Sequence, residues 1–350
     1  MKKASMPTRN QEIEIFRFLF ICAIAIMHFC NSYFHSAPYF SGAYIGTEFF
    51  FLVSGFMIMK AASAKKVSPF LFTLRRIKKL YPHYFIAFLL LFITSSLVSG
   101  TGFVSTLKNL GGYCFELLFL HASGLKCSGL LNYPTWYLSS LLIAGFFLYA
   151  LAYYNEKLYL TIIAPLAVLV TYSFFSANTG HMDVWGGNQL LHLSDALTRG
   201  FAAMSLGALS YALSNNLKSR NLQLSKYLRA FLTLLEALLF LSVLAGSAFY
   251  ADTQYDFYFI FMLFLGITLA FSGITYSNLI FSSPLFYYLG KISYPMYVYQ
   301  LFIICLFCLF LPNLPYLIGT VSFLAVTIIF SFVMEKLIDK LLSFASKHKQ

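Results

Sequence analysis

The chain has 350 residues, of which 59% are apolar and only 10% are charged. Soluble domains have about 25% charged residues, and a soluble fold cannot hide so much apolar surface, whereas a bilayer accepts it as solvent. The net charge of +12 does not indicate nucleic-acid binding, because Lys and Arg cluster between the apolar runs. The composition excludes a soluble enzyme and a nucleic-acid partner, and predicts an integral protein surrounded by membrane lipids.

Ten stretches of the chain are apolar over the roughly 20 residues that a helix needs to cross the hydrocarbon core. They lie at 13–33, 45–62, 82–99, 136–153, 158–176, 195–213, 230–250, 257–276, 293–311 and 316–337. The first carries charged residues and lacks a small-residue cleavage site, so it is interpreted as a retained helix rather than a signal peptide. A shorter apolar stretch at 108–121 is predicted to be interfacial or re-entrant.

The positions of the cations predict the orientation of these helices. If the N-terminus is cytoplasmic, all of the 24 Lys and Arg residues fall on the cytoplasmic side except Lys108, Lys126 and Arg199. Cytoplasmic connections are enriched in Lys and Arg. We therefore predict an all-α bundle of about ten transmembrane helices with both termini in the cytoplasm. No linker or soluble appendage is visible, so residues 1–350 are expected to form a single membrane domain.

Cysteine spacing adds little to these predictions. No pattern typical of a zinc site occurs, so we expect no metal. Four cysteines lie inside apolar runs as small hydrophobic residues, namely Cys22, Cys30, Cys305 and Cys308. On the predicted outer side, Cys114 and Cys127 either pair or remain free thiols, and free thiols are favoured.

Three ionisable residues interrupt the first two apolar runs, and each is a candidate functional residue because a charge at mid-bilayer costs about 2.5–3.5 kcal/mol. Arg17 and His28 are eleven residues apart, which places them on one helix face about 16 Å apart. The antiparallel second helix brings Glu48 to the depth of His28, where a carboxylate can orient an imidazole and raise its basicity. Ser54 is either a ligand donor or a small helix-contact residue. In the structural alternative, Arg17 reaches the interface and His28 bonds a backbone carbonyl.

The connection from Lys65 to Pro82 is the densest basic stretch of the chain. It is predicted to be a solvated loop before the third helix, and it ends with Arg75, Arg76, Lys78 and Lys79. Two or three cations suffice to orient a helix. The excess predicts binding of an anionic lipid or of a phosphorylated ligand.

Five short motifs follow one another between residues 17 and 297. They are Arg17 with His28; Gly46, Glu48, Phe50-Phe51 and Ser54-Gly55-Phe56; Arg75, Arg76, Lys79 and Pro82; Trp136-Tyr137-Leu138-Ser139; and Leu289-Gly290-Lys291-Ile292-Ser293-Tyr294 with Tyr297. With these motifs the sequence resembles the membrane-bound acyltransferase-3 family, whose members include bacterial O-acetylases of surface polysaccharides. It departs from the family pattern at Gln300, where many members carry a His, and Gln cannot carry a proton as imidazole does.

The resemblance implies an acyltransferase of the bacterial cytoplasmic (inner) membrane. It is expected to move an acyl group, with acetyl expected, from cytoplasmic acetyl-coenzyme A to a hydroxyl of a surface glycan or lipid-linked sugar. His28 would be the general base or the acyl carrier, with Glu48 orienting it. The donor would be bound by Arg17, Arg75, Arg76 and Lys79. Further substrate-binding candidates are Ser54, Trp136, Arg199, Ser293, Tyr294 and Gln300.

Two questions stay open from the sequence. The outer segments are expected to face the acceptor or to supply an interfacial aromatic belt; their candidates are His121, Trp136, His181, Asp183, Trp185 and His192. The alternative function is a proton-coupled secondary transporter or flippase of an envelope precursor, with a relay of Arg17, His28, Glu48 and Arg199. A transporter would show inverted repeats and a midplane site, and no convincing repeat is visible. Nothing in the sequence predicts the oligomeric state.

Overall fold

The computed structural model describes residues 10–98, 110–125, 129–187, 190 and 193–347. These residues form ten long helices and contain no strand. The helices are α1 (Gln11–Tyr33), α2 (Gly46–Ser63), α3 (Pro69–Val98), α4 (Trp136–Leu158), α5 (Ala164–Asn178), α6 (Asp195–Ser219), α7 (Lys226–Phe249), α8 (Tyr255–Ser272), α9 (Pro284–Phe310) and α10 (Tyr316–Lys347). Each predicted span overlaps one of them, and the predicted all-α membrane bundle is confirmed.

Eight segments of the described chain are long and apolar enough to cross a membrane. One of them, Tyr133–Asn178, has 46 residues and contains both α4 and α5. A straight helix would separate Trp136 from Tyr172 by about 54 Å. Yet Trp136 lies against the guanidinium of Arg199, and Tyr172 donates to the carboxylate paired with Arg199. The chain therefore reverses within this segment, at Asn155, whose φ of −146° and ψ of 77° are not helical.

Helix α6 is not among the eight apolar segments, and its position in the bundle explains why. More than half of its residues are buried, many of them Ala, Gly or Ser. A Cβ atom added to Gly207 would lie 2.0 Å from the carbonyl oxygen of Leu52, and one added to Gly55 would lie 2.0 Å from that of Met204. The backbones of α2 and α6 are therefore in contact, and α6 needs little apolar surface because other helices cover it.

The connections segregate to two ends of the bundle. Connections 64–68, 220–225 and 273–283 and the reversal at Asn155 lie at the end that we call the basic end, where the Tyr149 hydroxyl reaches the carbonyl of Val67 at 2.7 Å. Connections 34–45, 179–187 and 250–254 meet at the far end, where Asp256 accepts from the Tyr44 hydroxyl and the Met182 N–H. This alternation is expected of an up-and-down bundle. The number of crossings and the cytoplasmic termini stay predictions.

The predicted solvated loop from Lys65 to Pro82 is wrong. Helix α3 begins at Pro69 and continues through Pro82, so the cations from Arg75 onward lie in its first three turns. Proline has the backbone angle that a first helical residue needs, Lys and Arg favour helix, and an internal proline is tolerated in a membrane helix. With 30 residues α3 is about 45 Å long, so its first turns extend beyond the hydrocarbon core, where Arg75, Lys78 and Lys79 are exposed.

The segment after α3, predicted to be interfacial or re-entrant, turns back along that helix. Tyr113 packs on Phe92, and Phe119 packs on Tyr81. Because Phe92 and Tyr81 are eleven residues apart, the segment descends about 16 Å from the far end into the bundle. It is therefore re-entrant with respect to the bundle, and it delivers the chain to the start of α4.

Candidate active site

His28 lies near the far end of α1, half-buried, and faces a tyrosine from the chain before α4. Its Nδ1 atom is 3.2 Å from the Tyr133 hydroxyl, and the two rings meet edge to face at 5.4 Å. The same hydroxyl is within hydrogen-bonding reach of Ser32, one turn further along α1. Sequence reasoning missed Tyr133, because it stands 105 residues from His28 in an irregular segment. Its position next to the Trp136 motif was the only available signal.

The turn that carries Tyr133 is fixed by a buried carboxylate in the re-entrant segment. Glu116 is fully buried and accepts the backbone N–H groups of residues 131 and 132 at 2.6 and 2.8 Å. Burial raises the pKa of the Glu116 carboxyl, and the two N–H donors offset part of that rise. Helix α9 holds the other side of the turn, because the Tyr297 hydroxyl donates to the carbonyl of Pro134. The ring that faces His28 is therefore held from two directions.

Glu48 forms an ion pair with Arg199, and neither side chain is exposed. The guanidinium Nε lies 2.5 Å from one carboxylate oxygen, while the Tyr172 hydroxyl donates to the other at 2.8 Å. Arg199 also donates to the Thr47 hydroxyl at 2.5 Å and lies over the ring of Trp136, 5.4 Å from its centroid. Its Nη1 atom is buried without a partner among the described residues. Helices α2, α4, α5 and α6 all contribute to this cluster.

The predicted contact between Glu48 and His28 is absent from the described residues. Both oxygens of Glu48 are occupied, and the hydrogen-bond partner of His28 is Tyr133. A guanidinium compensates a buried carboxylate better than a neutral imidazole does, because it carries a full charge and several N–H donors. The pattern of the sequence contained no information on which helix would lie beside α2. The catalytic roles of His28 and Glu48 stay predictions.

Two arginines meet inside the bundle on the side of the basic end. The Arg76 Nη2 atom donates to the Ser54 hydroxyl at 3.3 Å, and Ser54 also hydrogen-bonds the Tyr137 hydroxyl. The charge of Arg17 acts on both Arg76 and Tyr137. Arg17 lies 3.4 Å from Glu14, whereas within the described part of the chain Arg76 has no carboxylate partner. We call Arg17, Arg76, Ser54 and Tyr137 the guanidinium cluster, and its positive charge exceeds its negative charge.

The other cations of α3 point elsewhere. Neighbouring residues on a helix are rotated by about 100°, and Arg75 is accordingly exposed while Arg76 is half-buried. Lys78 and Lys79 are exposed as well. The predicted twin-arginine anchor is thus divided between the bundle interior and its surface, and donor binding by Arg75 and Lys79 stays a prediction.

A line of hydroxyl-bearing side chains joins the guanidinium cluster to His28. The ring of Tyr137 meets that of Tyr297 at 5.8 Å. The Tyr297 hydroxyl binds the carbonyl of Pro134, and the preceding residue, Tyr133, contacts His28. The two ends of this line are separated by about three turns of α1, or 16 Å. One continuous set of contacts therefore connects a positively charged region with a half-buried imidazole.

The three substrate-binding candidates on α9 make contacts within the protein. The Ser293 hydroxyl bonds a carbonyl of its own helix at 2.7 Å, and the Tyr294 hydroxyl bonds the carbonyl of Leu80 on α3 at 2.7 Å. Gln300 is fully buried and donates to a carbonyl one turn earlier at 3.0 Å, and its Oε1 atom has no partner among the described residues. These contacts stabilise α9 and its packing on α3, and substrate binding by the three residues stays a prediction.

A polar network that the sequence did not predict joins α3, α9 and α10 towards the basic end. The Nε2 atom of His83 lies 2.8 Å from Glu335, and its Nδ1 atom lies 3.2 Å from the Tyr299 hydroxyl. Lys291 lies 2.9 Å from Glu335 and also pairs with Asp339. Lys291, predicted as a cytoplasmic cation and as part of the late motif, also belongs to an ion-pair network that connects three helices. The lone histidine in the apolar run of α3 was its one sequence signal.

The residues expected to face an acceptor have different environments. Trp185 is 40% exposed and stacks on Tyr133, whereas Trp136 is 9% exposed beneath Arg199. The connections before α4 and α6 hold three other candidates, His121, His181 and Asp183. Two predictions fall outside the described residues: the position of His192, and the pairing of Cys127 with the exposed Cys114.

Comparison with known proteins gives one match. A family model described as an acyltransferase domain matches residues 10–336, a range that contains every candidate residue discussed above. No curated protein and no solved structure matches the chain.

Proposed function

Because the chain belongs to the acyltransferase-3 family and is a membrane acyltransferase, we propose that it transfers an acetyl group from acetyl-coenzyme A to a hydroxyl of a surface glycan or lipid-linked sugar. It would do so in the bacterial cytoplasmic membrane. The observation that carries the proposal is the line of contacts from the guanidinium cluster to His28. That line provides one end suited to an anionic donor and another suited to a neutral acceptor.

The guanidinium cluster is suited to the phosphates of the donor. Arg17 and Arg76 interact electrostatically, and Arg17 also pairs with Glu14. Like charges this close favour an anion between or beside them, and guanidinium groups match the geometry of phosphate oxygens. The coenzyme would enter from the basic end, where the exposed Arg75 and Lys79 line the approach.

His28 is placed to act as the general base. When its Nδ1–H donates to the Tyr133 oxygen, Nε2 keeps a free lone pair, and the Tyr133 proton goes to Ser32. Nε2 then takes the proton of the acceptor hydroxyl while the oxygen attacks the thioester carbonyl carbon. The carbon–sulfur bond breaks as the ester bond forms, and the imidazolium returns its proton to the leaving thiolate.

The described contacts favour acyl transfer over the transporter hypothesis. A proton or substrate relay needs groups that change partners, whereas Glu48 and Arg199 are fully enclosed and hold each other at 2.5 Å. The relay residues also fall into separate clusters, because Arg17 lies with Arg76 and His28 with Tyr133.

Mass spectrometry of surface glycans tests the proposal. Cells that lack the gene should lose acetyl groups from one glycan, and a plasmid-borne wild-type copy should restore them. The matched control is a His28→Ala copy, which should insert in the membrane without restoring acetylation. Identical acetylation with and without the gene would reject the proposed reaction.

A further inference from the structure

An exposed indole stands beside the ring that holds His28. Trp185 lies in the connection between α5 and α6, and its ring stacks on Tyr133 with centroids 6.4 Å apart and planes inclined by 29°. Tyr133 in turn meets the His28 imidazole at 5.4 Å. The two steps place the indole within about 12 Å of the imidazole, at the far end of the bundle.

The surroundings of Trp185 differ from those of an interfacial belt residue. Belt tryptophans extend from the outer surface of a helix towards the headgroups, whereas Trp185 lies in an irregular connection and packs on a residue of the candidate active site. One side of its indole is covered by Tyr133, yet 40% of the side chain is exposed. The following residue, Gly186, is exposed and adds no side chain that could cover the open face. Within the described part of the chain, an apolar surface therefore stays exposed beside the candidate base.

We propose that Trp185 is an acceptor-binding residue on whose open face a sugar ring of the glycan packs. This inference rests on the proposed function and adds a binding subsite to it. A pyranose has one face of C–H groups and a rim of hydroxyls, and the electron-rich face of an indole attracts C–H groups while leaving the rim to water. Polar side chains for the rim are nearby, since Ser32 reaches Tyr133 and Asp183 is exposed two residues before the indole.

The separation of the indole from His28 defines which part of the glycan it holds. A distance within about 12 Å is one that a disaccharide can span, and the imidazole lies at the Tyr133 hydroxyl whereas the indole stacks on the Tyr133 ring. The sugar on Trp185 is therefore not the sugar that is acylated, but its neighbour in the chain. The site accordingly distinguishes an oligosaccharide from a single sugar, and Trp185 positions the acceptor without taking part in the chemistry.

Steady-state kinetics provide the first test, with purified protein in vesicles, acetyl-coenzyme A, and base-de-esterified surface oligosaccharide as the probe. Trp185→Ala should raise KM for the oligosaccharide about five- to tenfold and largely retain kcat. Trp185→Phe should restore most of the loss. The matched control is Tyr250→Ala, which removes an aromatic residue that is 47% exposed at the same end and should leave KM unchanged. An unchanged KM in Trp185→Ala would overturn the inference while the measured transfer upheld the proposed function.

Tryptophan fluorescence provides a second test that does not depend on turnover. The chain has two tryptophans, and only Trp185 is appreciably exposed. The oligosaccharide should quench or shift the emission of the wild-type protein, and Trp185→Phe should abolish that response. A response without acyl transfer would support the subsite and reject the reaction. No response, or an equal response from Trp185→Phe, would reject the subsite.

Discussion

The pairs Glu48–Arg199 and His28–Tyr133 stand near the same end of the bundle, but their environments are opposite. Each joins segments more than a hundred residues apart. The first pair is completely buried, and both carboxylate oxygens are occupied. The second is half-buried, and only one imidazole nitrogen has a partner among the described residues. A buried ion pair held by further hydrogen bonds fixes a structure, whereas a half-buried imidazole with a free nitrogen can act as a base on a substrate. From this comparison we expect the chemistry at His28 and a structural role for Glu48.

The largest expected effect is that of removing the base. His28→Ala should lower the rate of acyl transfer by about 10²–10⁴-fold, the usual contribution of general-base catalysis, with the amount of membrane-inserted protein unchanged. His28→Gln should be equally inactive, because Gln hydrogen-bonds but cannot carry a proton. Acetylation of the glycan, normalised to protein in the membrane, measures both. If His28→Gln retained most of the activity, His28 would be structural and the base would lie elsewhere.

Substitution of Glu48 or Arg199 should lower the free energy of unfolding, and we expect neither residue to take part in the reaction. Glu48→Gln or Arg199→Gln leaves the partner charge buried and uncompensated, which lowers the free energy of unfolding by about 3–5 kcal/mol. Thermal unfolding in detergent should show a clear fall in Tm and in the yield of folded protein. The double variant should lose less than the two single losses together.

An opposite outcome for that pair would restore the catalytic role predicted from the sequence. Should Glu48→Gln unfold at the wild-type temperature but lack activity, Glu48 would belong to the reaction and not to the framework. Tyr172→Phe is the matched control, because it removes one hydrogen bond to Glu48 and leaves both charges in place.

Two neighbouring residues of α3 also differ in environment, because Arg76 belongs to the guanidinium cluster and Arg75 lies at the surface. Arg76→Ala removes charge-assisted contacts to phosphate worth about 1.5–3 kcal/mol, so KM for acetyl-coenzyme A should rise by roughly 10- to 150-fold. Arg75→Ala is the matched control, since Arg75 is exposed on a different side of α3, and its KM should change far less. Equal effects of both substitutions would show that the donor binds at the surface of α3 and not inside the bundle.

The smallest effect should come from the hydroxyl that orients the base. Tyr133→Phe keeps the ring contacts with His28 and Trp185 but loses a hydrogen bond worth about 0.5–1.5 kcal/mol. We expect kcat to fall about two- to twelvefold and KM for both substrates to stay near the wild-type value. A loss as large as that of His28→Ala would indicate that the Tyr133 hydroxyl itself takes part in proton transfer.

The all-α membrane bundle and the family were predictable because they depend on local patterns and on ordered motifs. Partners were not. Arg17 and His28 share one helix, so their spacing of eleven residues predicts a common face. By contrast, the partner of Glu48 is 151 residues away, and only packing of α2 on α6 brings it there. Tyr133 and Trp185 stand in irregular segments, where no periodicity indicates direction.

The misplaced start of α3 has a different cause. A span was predicted from hydropathy, which records where a helix enters lipid and not where it begins. The cations of the first turns lower the hydropathy but favour the helix, so the apolar run starts at residue 82 while the helix starts at Pro69. The helical assignment matters for function, because it separates Arg75 from Arg76.

The low hydropathy of α6 has a consequence for biosynthesis. A helix that carries Arg199 enters lipid at a cost of about 2.5–3.5 kcal/mol for that charge, and α6 leaves the ribosome when α1 to α5 are already made. By then α2 is already in the membrane, and it carries Glu48, the counter-charge of Arg199. We expect insertion of α6 to depend on these earlier helices, and a chain without Glu48 to leave α6 outside the bilayer in part of its copies. In those copies α7 to α10 would enter with inverted sidedness, which glycosylation-site mapping of the connections would detect.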